Sequence, residues 1–140
     1  MKGLKVADYP LAETRPDQIR GTRGMALNDI TLDAVMAGAV TMEDLQITPG
    51  ALRDQAEVAL DAGRPTLGLN FQRAAELVAV PQEVIMATYE LLRPGRAKTR
   101  QELLDRADVL RFEYNAPMIA DFILEAAQVY EKRGVFTYRF

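Results

Sequence analysis

With no histidine and no cysteine among its 140 residues, this chain has only carboxylates, lysine, tyrosine and hydroxyl groups for any chemistry of its own. The missing histidines remove the commonest general base and the commonest transition-metal ligand together. The missing cysteines exclude disulfides and thiolate metal sites. Zinc centres and Ser-His nucleophilic chemistry are therefore not expected. Three acidic pairs have spacings that acid-base work could use: Glu43 with Asp44, Glu102 with Asp105, and Asp121 with Glu125. The last two pairs each share a helix face, but polar or basic neighbours such as Arg106 and Gln128 flank them. Solvated faces account for all three, and no catalytic residue is expected among them.

Phosphate chemistry has two candidate stretches. Gly63 and Gly68 are spaced as in a phosphate-binding loop, but Leu69 and Asn70 follow where that loop needs lysine and a hydroxyl, and Pro65 intervenes. Helix capping is the better reading. The stretch 93–100, RPGRAKTR, is the most basic in the chain. No aromatic residue interleaves with it, and the net charge is -3, so nucleic acid is not an expected partner. Pro94 should stop one helix and Gly95 turn the chain, leaving the arginines to pair with carboxylates of another subunit.

The elements that would position these residues are legible in the block 47–81. Thr48 can accept a hydrogen bond from a first-turn amide, and Pro49 sits where its missing N–H costs nothing. Gly63 ends that helix, and Pro65 opens the next. Leu52, Ala56, Ala59 and Leu60 form one apolar face, and Leu67, Phe71, Ala74, Ala75 and Val78 form the other. An antiparallel helix pair follows. A short helix is predicted from Thr31 to about Ala37, and a further turn at Thr41. Pro81 should open a helix with Glu83 in its first turn and Val84, Ile85, Thr88, Tyr89 and Leu92 facing inward. Thr99 and Glu102 make a capping box before the stripe Leu103, Leu104, Ala107, Leu110 and Tyr114. Pro117 should begin a last helix to about Arg133, with Ile119, Phe122, Ile123, Ala126 and Tyr130 inward.

The expected architecture is all-α: about six short helices in an irregular bundle, with an extended N-terminal arm over 1–30, a helical body over 31–133 and a short extended tail over 134–140. Pro10, Pro16, Gly21 and Gly24 defeat a long helix in the arm. Its apolar residues must lie on something, either its own helices or a partner subunit. The aromatic tail poses the same choice. One domain is the expectation for this length, with 49% hydrophobic and 26% charged residues. No apolar run approaches the length of a bilayer span, and the start lacks the pattern of a secretory signal, so no membrane and a cytoplasmic location are expected.

Several short blocks, in order, carry a family resemblance. They are Asp8-Tyr9-Pro10-Leu11-Ala12, Val40-Thr41, Asp44-Leu45, Ile47-Thr48-Pro49, Asp61-Ala62-Gly63-Arg64, Asn70-Phe71, Arg73-Ala74-Ala75-Glu76-Leu77 and Val80-Pro81. Leu92-Arg93-Pro94-Gly95-Arg96, Glu102-Leu103-Leu104 and Glu125-Ala126-Ala127 follow. Over most of its length the chain resembles the small subunit of the adenosylcobalamin-dependent diol and glycerol dehydratases. The resemblance implies an assembly with two copies each of large, medium and small subunits. That enzyme converts 1,2-propanediol or glycerol to an aldehyde and water by radical chemistry. Its substrate site lies in the large subunit, and its cobalamin lies between large and medium subunits. The small chain would be non-catalytic, with no cofactor or metal of its own, and would bind and stabilise the large subunit. Tyr9, Pro10, Arg64, Phe71 and Arg93 are the expected interface residues, because they sit in these blocks at corners or on the arm.

Some relatives in that family carry a longer leading extension associated with packaging in bacterial microcompartments. Here the Asp8-Tyr9-Pro10 block lies close to the start, so any packaging is expected to run through other subunits. The main rival reading is a stand-alone helical adaptor whose basic 93–100 stretch meets one protein partner. An independent carboxylate hydrolase ranks below it.

Overall fold

Threonines, prolines and glycines punctuate the chain where helices begin and end, and the computed structural model, which describes residues 3–136, is built of helices joined by turns. The described residues form no β-strand; they contain one isolated bridge, between Arg20 and Ala26. The contacts divide the chain into two compact units, Met1–Val78 and Ala79–Phe140.

In the first unit the arm is a string of tight turns. Single 3₁₀ turns at Val6–Asp8, Pro16–Gln18 and Leu27–Asp29 alternate with the short helix α1, Leu11–Thr14. Two further short helices follow, α2 (Leu32–Met36) and α3 (Met42–Leu45). Thr31 caps α2 by accepting from the Ala34 amide at 3.1 Å. A capping box between Thr41 and Asp44 opens α3.

The helical hairpin comes next. Helix α4 spans Pro49–Asp61 and α5 spans Pro65–Leu77. Thr48 accepts from the Ala51 amide at 3.1 Å, as its position demands. At the corner, Gly63 adopts φ +72°, its amide donates to the Leu60 carbonyl at 3.0 Å, and the Arg64 amide donates to the Ala59 carbonyl at 2.9 Å. Those two bonds satisfy carbonyls that the helix end leaves without partners. Gly68 lies at a close approach of the two helices: a Cβ built on it would stand 2.8 Å from Leu60 Cγ and 3.2 Å from the Ala56 carbonyl oxygen.

The arm lies on its own chain. Leu4 and Leu11 are buried with Val58 of α4, and Ile19 packs against them. Two backbone amides fix the crossing, Leu4 N–H on Glu57 and Val6 N–H on Asp61, each at 2.9 Å. Arg15 grips Asp8 within the arm at 2.6 Å.

In the second unit, α6 (Gln82–Leu92) leads by way of residues 93–99 to α7 (Arg100–Asp108). The chain then widens into one π-helical turn, Val109–Glu113. Asn115 takes a left-handed conformation at φ +50°, the Ala116 amide returns to the Leu110 carbonyl at 2.9 Å, and α8 runs from Pro117 to Lys132. Pro117 therefore starts a new helix, as its missing N–H favours. Leu103, Leu110 and Ile123 are the largest fully buried side chains, between α7 and α8. Each contributes roughly 1.5–3 kcal/mol by leaving water. The Tyr130 hydroxyl donates to the Leu92 carbonyl and ties α8 to the end of α6.

Four side chains expected to face inward do not: Leu60, Val78, Tyr89 and Phe122 are exposed. All four stand at the edge of an apolar stripe, where a helix of this length turns its flank to solvent. In the tail, Val135 N–H closes on the Tyr130 carbonyl at 2.9 Å, and Phe136 meets the Tyr130 ring edge-on at 6.2 Å. Residues 133–136 form a turn rather than an extended strand. The rest of the expected extended tail, 137–140, lies outside the described residues.

Candidate subunit interface

Three of the five residues expected to meet a partner converge on one groove of the first unit. Tyr9 comes from the arm, Arg64 from the α4–α5 corner, and Phe71 from the second turn of α5. Between them lie Val6, Val58, Ala59 and Leu67, and the groove encloses about 320 Å³. The arm's anchorage on Glu57 and Asp61 holds Tyr9 there, and the Gly63 corner sets the position of Arg64. Tyr9 is 58% exposed, Arg64 is exposed and Phe71 half-buried. The walls are mostly aliphatic and aromatic, with a guanidinium at one edge. Such a groove can take up apolar side chains of another protein and hold a carboxylate at its rim.

Pro10 lies on the far side of Tyr9. With Tyr9, Ile19, Thr48 and Asp54 it lines a second groove, of about 480 Å³, between the arm and the start of α4. Arg93 belongs to the second unit, at the C-terminal end of α6. There it pairs with Glu90 one turn back at 3.1 Å, and Arg96 pairs with the same carboxylate at 3.0 Å. Arg100 reaches Glu131 of α8 at 3.5 Å. These three arginines were expected to seek carboxylates of another subunit; within the chain, the turn after α6 brings Arg93 and Arg96 to Glu90, and Arg100 meets Glu131.

Glu102, Asp105 and Asp121 of the acidic pairs have structural partners. Glu102 accepts from the amides of Lys98 at 2.6 Å and Thr99 at 2.8 Å. Those bonds, that of Thr99 foremost, hold its pKa below the usual carboxylate value. Asp105 accepts from the Gln101 side chain at 2.7 Å, and Asp121 pairs with Arg111.

Asp44 corrects the sequence reading. Expected on a solvated face beside Glu43, its carboxylate is wholly enclosed. Arg23 holds it with two donors, Nε to Oδ1 at 2.9 Å and Nη2 to Oδ2, while the Thr41 amide donates at 2.9 Å. The Arg23 fork, then the Thr41 amide, lower its pKa to about 2. The T-x-x-D spacing of a capping box was the signal that could have found it; the partnership with Arg23, across 21 positions, had no local sign. Asp8 and Asp61 are lowered as well, chiefly by the amides of Lys5 and Val6 respectively. Among the described residues no three acidic side chains come close enough to hold a metal, and no helix is long and apolar enough to cross a membrane.

Fold and side-chain chemistry together define an all-helical chain in which the acidic groups just described serve caps and ion pairs that hold the fold. The family model described as dehydratase small subunit matches residues 4–137, and the chain belongs to that family. It is 46% identical over 132 residues to the propanediol dehydratase small subunit of Salmonella typhimurium, an alignment covering 94% of this chain and 76% of the relative. It is 47% identical over 129 residues to the propanediol dehydratase small subunit of Citrobacter freundii, covering 92% and 74%.

Proposed function

We propose that this chain is the small, non-catalytic subunit of a diol dehydratase that turns 1,2-propanediol or glycerol into an aldehyde and water, and that it binds and stabilises the large catalytic subunit. The observation that carries the reading is the 46% identity to a propanediol dehydratase small subunit over nearly the whole chain. The groove formed by Tyr9, Arg64 and Phe71 supports it, since it offers an apolar recess with a charged rim to another protein. Pro10 and Arg93 complete the proposed contact set. The reading includes two copies each of large, medium and small subunits.

Adenosylcobalamin supplies the radical chemistry of such an enzyme. With no histidine or cysteine, this chain offers cobalt no imidazole or thiolate ligand. Binding is assigned to the other subunits. The same reading places the chain in the cytoplasm, with any microcompartment association made through other subunits.

The test is the subunit content of the complex recovered with a tagged copy from its own source. Co-purification with a large and a medium chain in equal numbers, carrying adenosylcobalamin-dependent diol dehydration, is expected. Recovery as a lone folded species, or with one unrelated protein, would replace this reading with the stand-alone adaptor.

A further inference from the structure

Residues 29–47 of the first unit expose large apolar side chains at a density found nowhere else in the described chain. Leu32, Val35 and Met36 stand at i, i+3 and i+4 on α2, so they share one face of it. Met42 and Leu45 repeat the arrangement on α3. Leu32 and Met42 are each 75% exposed and Met36 79%, values close to those of an unfolded chain. Yet the segment is not loose. Schellman-type bonds from Gly38 and Ala39 close α2, Val40 is buried, and Arg23 clamps Asp44 at one end while donating to the Ala39 carbonyl at 2.9 Å. A rigid scaffold thus presents methionine and leucine outward. Single exposed apolar residues need no explanation, but a set of five on two adjacent short helices does.

The charges around these side chains select the occupant. The segment carries Asp29, Asp33, Glu43 and Asp44 and no lysine or arginine. Arg23 takes Asp44 and lies in the field of Glu43, while Asp29 and Asp33 are exposed at and near the start of α2. A second copy of the chain on this face would bring carboxylates against carboxylates, and an anionic bilayer surface would be repelled. A protein surface with an apolar centre and a lysine or arginine rim meets both requirements.

We infer that the α2–α3 segment is a second docking surface of this subunit, independent of the Tyr9 groove, and that it takes an apolar, basic-rimmed patch on a larger subunit of the same dehydratase. This rests on the dehydratase reading above. Methionine suits the role, because its unbranched thioether moulds to an irregular surface.

The experiment compares amide exchange of the chain alone and in the purified complex, then measures assembly of two variants. Amides of 31–47 should slow on assembly. Met36→Ser with Leu45→Ser, both exposed, should weaken retention of the small subunit at least tenfold in dilution while circular dichroism of the free chain stays unchanged. Asp33→Lys with Glu43→Lys should weaken it too, and should flatten the dependence of assembly on salt. Unchanged exchange at 31–47 in an intact complex would overturn the inference even if a variant failed to fold. So would a free chain that dimerises through this segment. If the unmodified chain recruits no dehydratase subunit at all, the dehydratase reading has failed instead, which the wild-type control reveals before any variant is made.

Discussion

Gly68→Ala isolates the close approach of α4 and α5. In an exposed helix interior, alanine stabilises over glycine by up to about 1 kcal/mol. At Gly68 the added methyl would stand 2.8 Å from Leu60 Cγ, 3.0 Å from Leu60 Cδ2 and 3.2 Å from the Ala56 carbonyl oxygen. Carbon pairs rest at about 3.5–4.0 Å, so Leu60 must move and the backbone carbonyl is crowded. Overpacking of this kind costs about 2 kcal/mol, which leaves a net loss near 1 kcal/mol after the helical gain. Leu60 is 46% exposed, so Leu60→Ala should by itself cost only about 1 kcal/mol. In that background most of the clash is gone, and Gly68→Ala should become neutral or slightly stabilising. The coupling in the double-mutant cycle should therefore be about 1 kcal/mol or more. Gly50→Ala is the control, since a Cβ there meets nothing closer than 3.9 Å and only the helical gain should appear. Urea unfolding followed by circular dichroism reads all five chains. A stabilising Gly68→Ala in the wild-type background, or a coupling indistinguishable from zero, would refute the packing argument.

Two further outcomes follow from the same geometry. Asp44 is held at a pKa of about 2 against an ordinary 3.8, so its ionised form is favoured by folding. The stability it adds is fully present above about pH 4 and falls away as pH drops through 3 towards 2. Asp44→Asn should lower stability at pH 7 and flatten the acid limb of a pH titration of urea midpoints; an acid limb as steep as that of the parent would rule the Arg23 clamp out as its source. Arg64→Ala should leave the free chain's thermal unfolding unchanged, because its side chain is exposed, yet loosen the complex several-fold in gel filtration at dilute protein; Arg93→Ala, which also gives up its pairing with Glu90, should do the same. Unchanged assembly would remove each from the contact set.

Helix punctuation is a local affair, which is why it could be read from the chain. Thr48 before Pro49, Gly63 before Pro65, Thr99 three before Glu102 and Pro117 before a periodic stretch each act on backbone within one turn, and each does in the structure what its spacing announced. The inner positions of α7 and of the turn after it were legible for a similar reason: Leu103, Ala107 and Leu110 repeat at helical spacing and all are buried, whereas in α8 Ile123 alone of the five expected positions is buried, beside Ala120 and Ala127, which periodicity had not marked. Family membership was legible too, carried by short blocks in fixed order and independent of any contact.

The tertiary structure decided what depends on distant partners. Periodicity marks a stripe but not how wide a strip the neighbour covers, so Leu60, Val78, Tyr89 and Phe122 fell outside it. Asp44 next to Glu43 looks solvated until Arg23, 21 positions away, closes over it. The arm's packing on its own chain rests on Glu57 and Asp61, more than 50 positions downstream, which accept its amides. Composition could not show that Leu32, Met36 and Met42 stand outward, because a helix as short as α2 or α3 carries too little pattern to say which side will be covered. Local hydrogen bonds and spacing are written in consecutive residues; burial and ion pairing are properties of which surfaces meet, and only folding in three dimensions determines that.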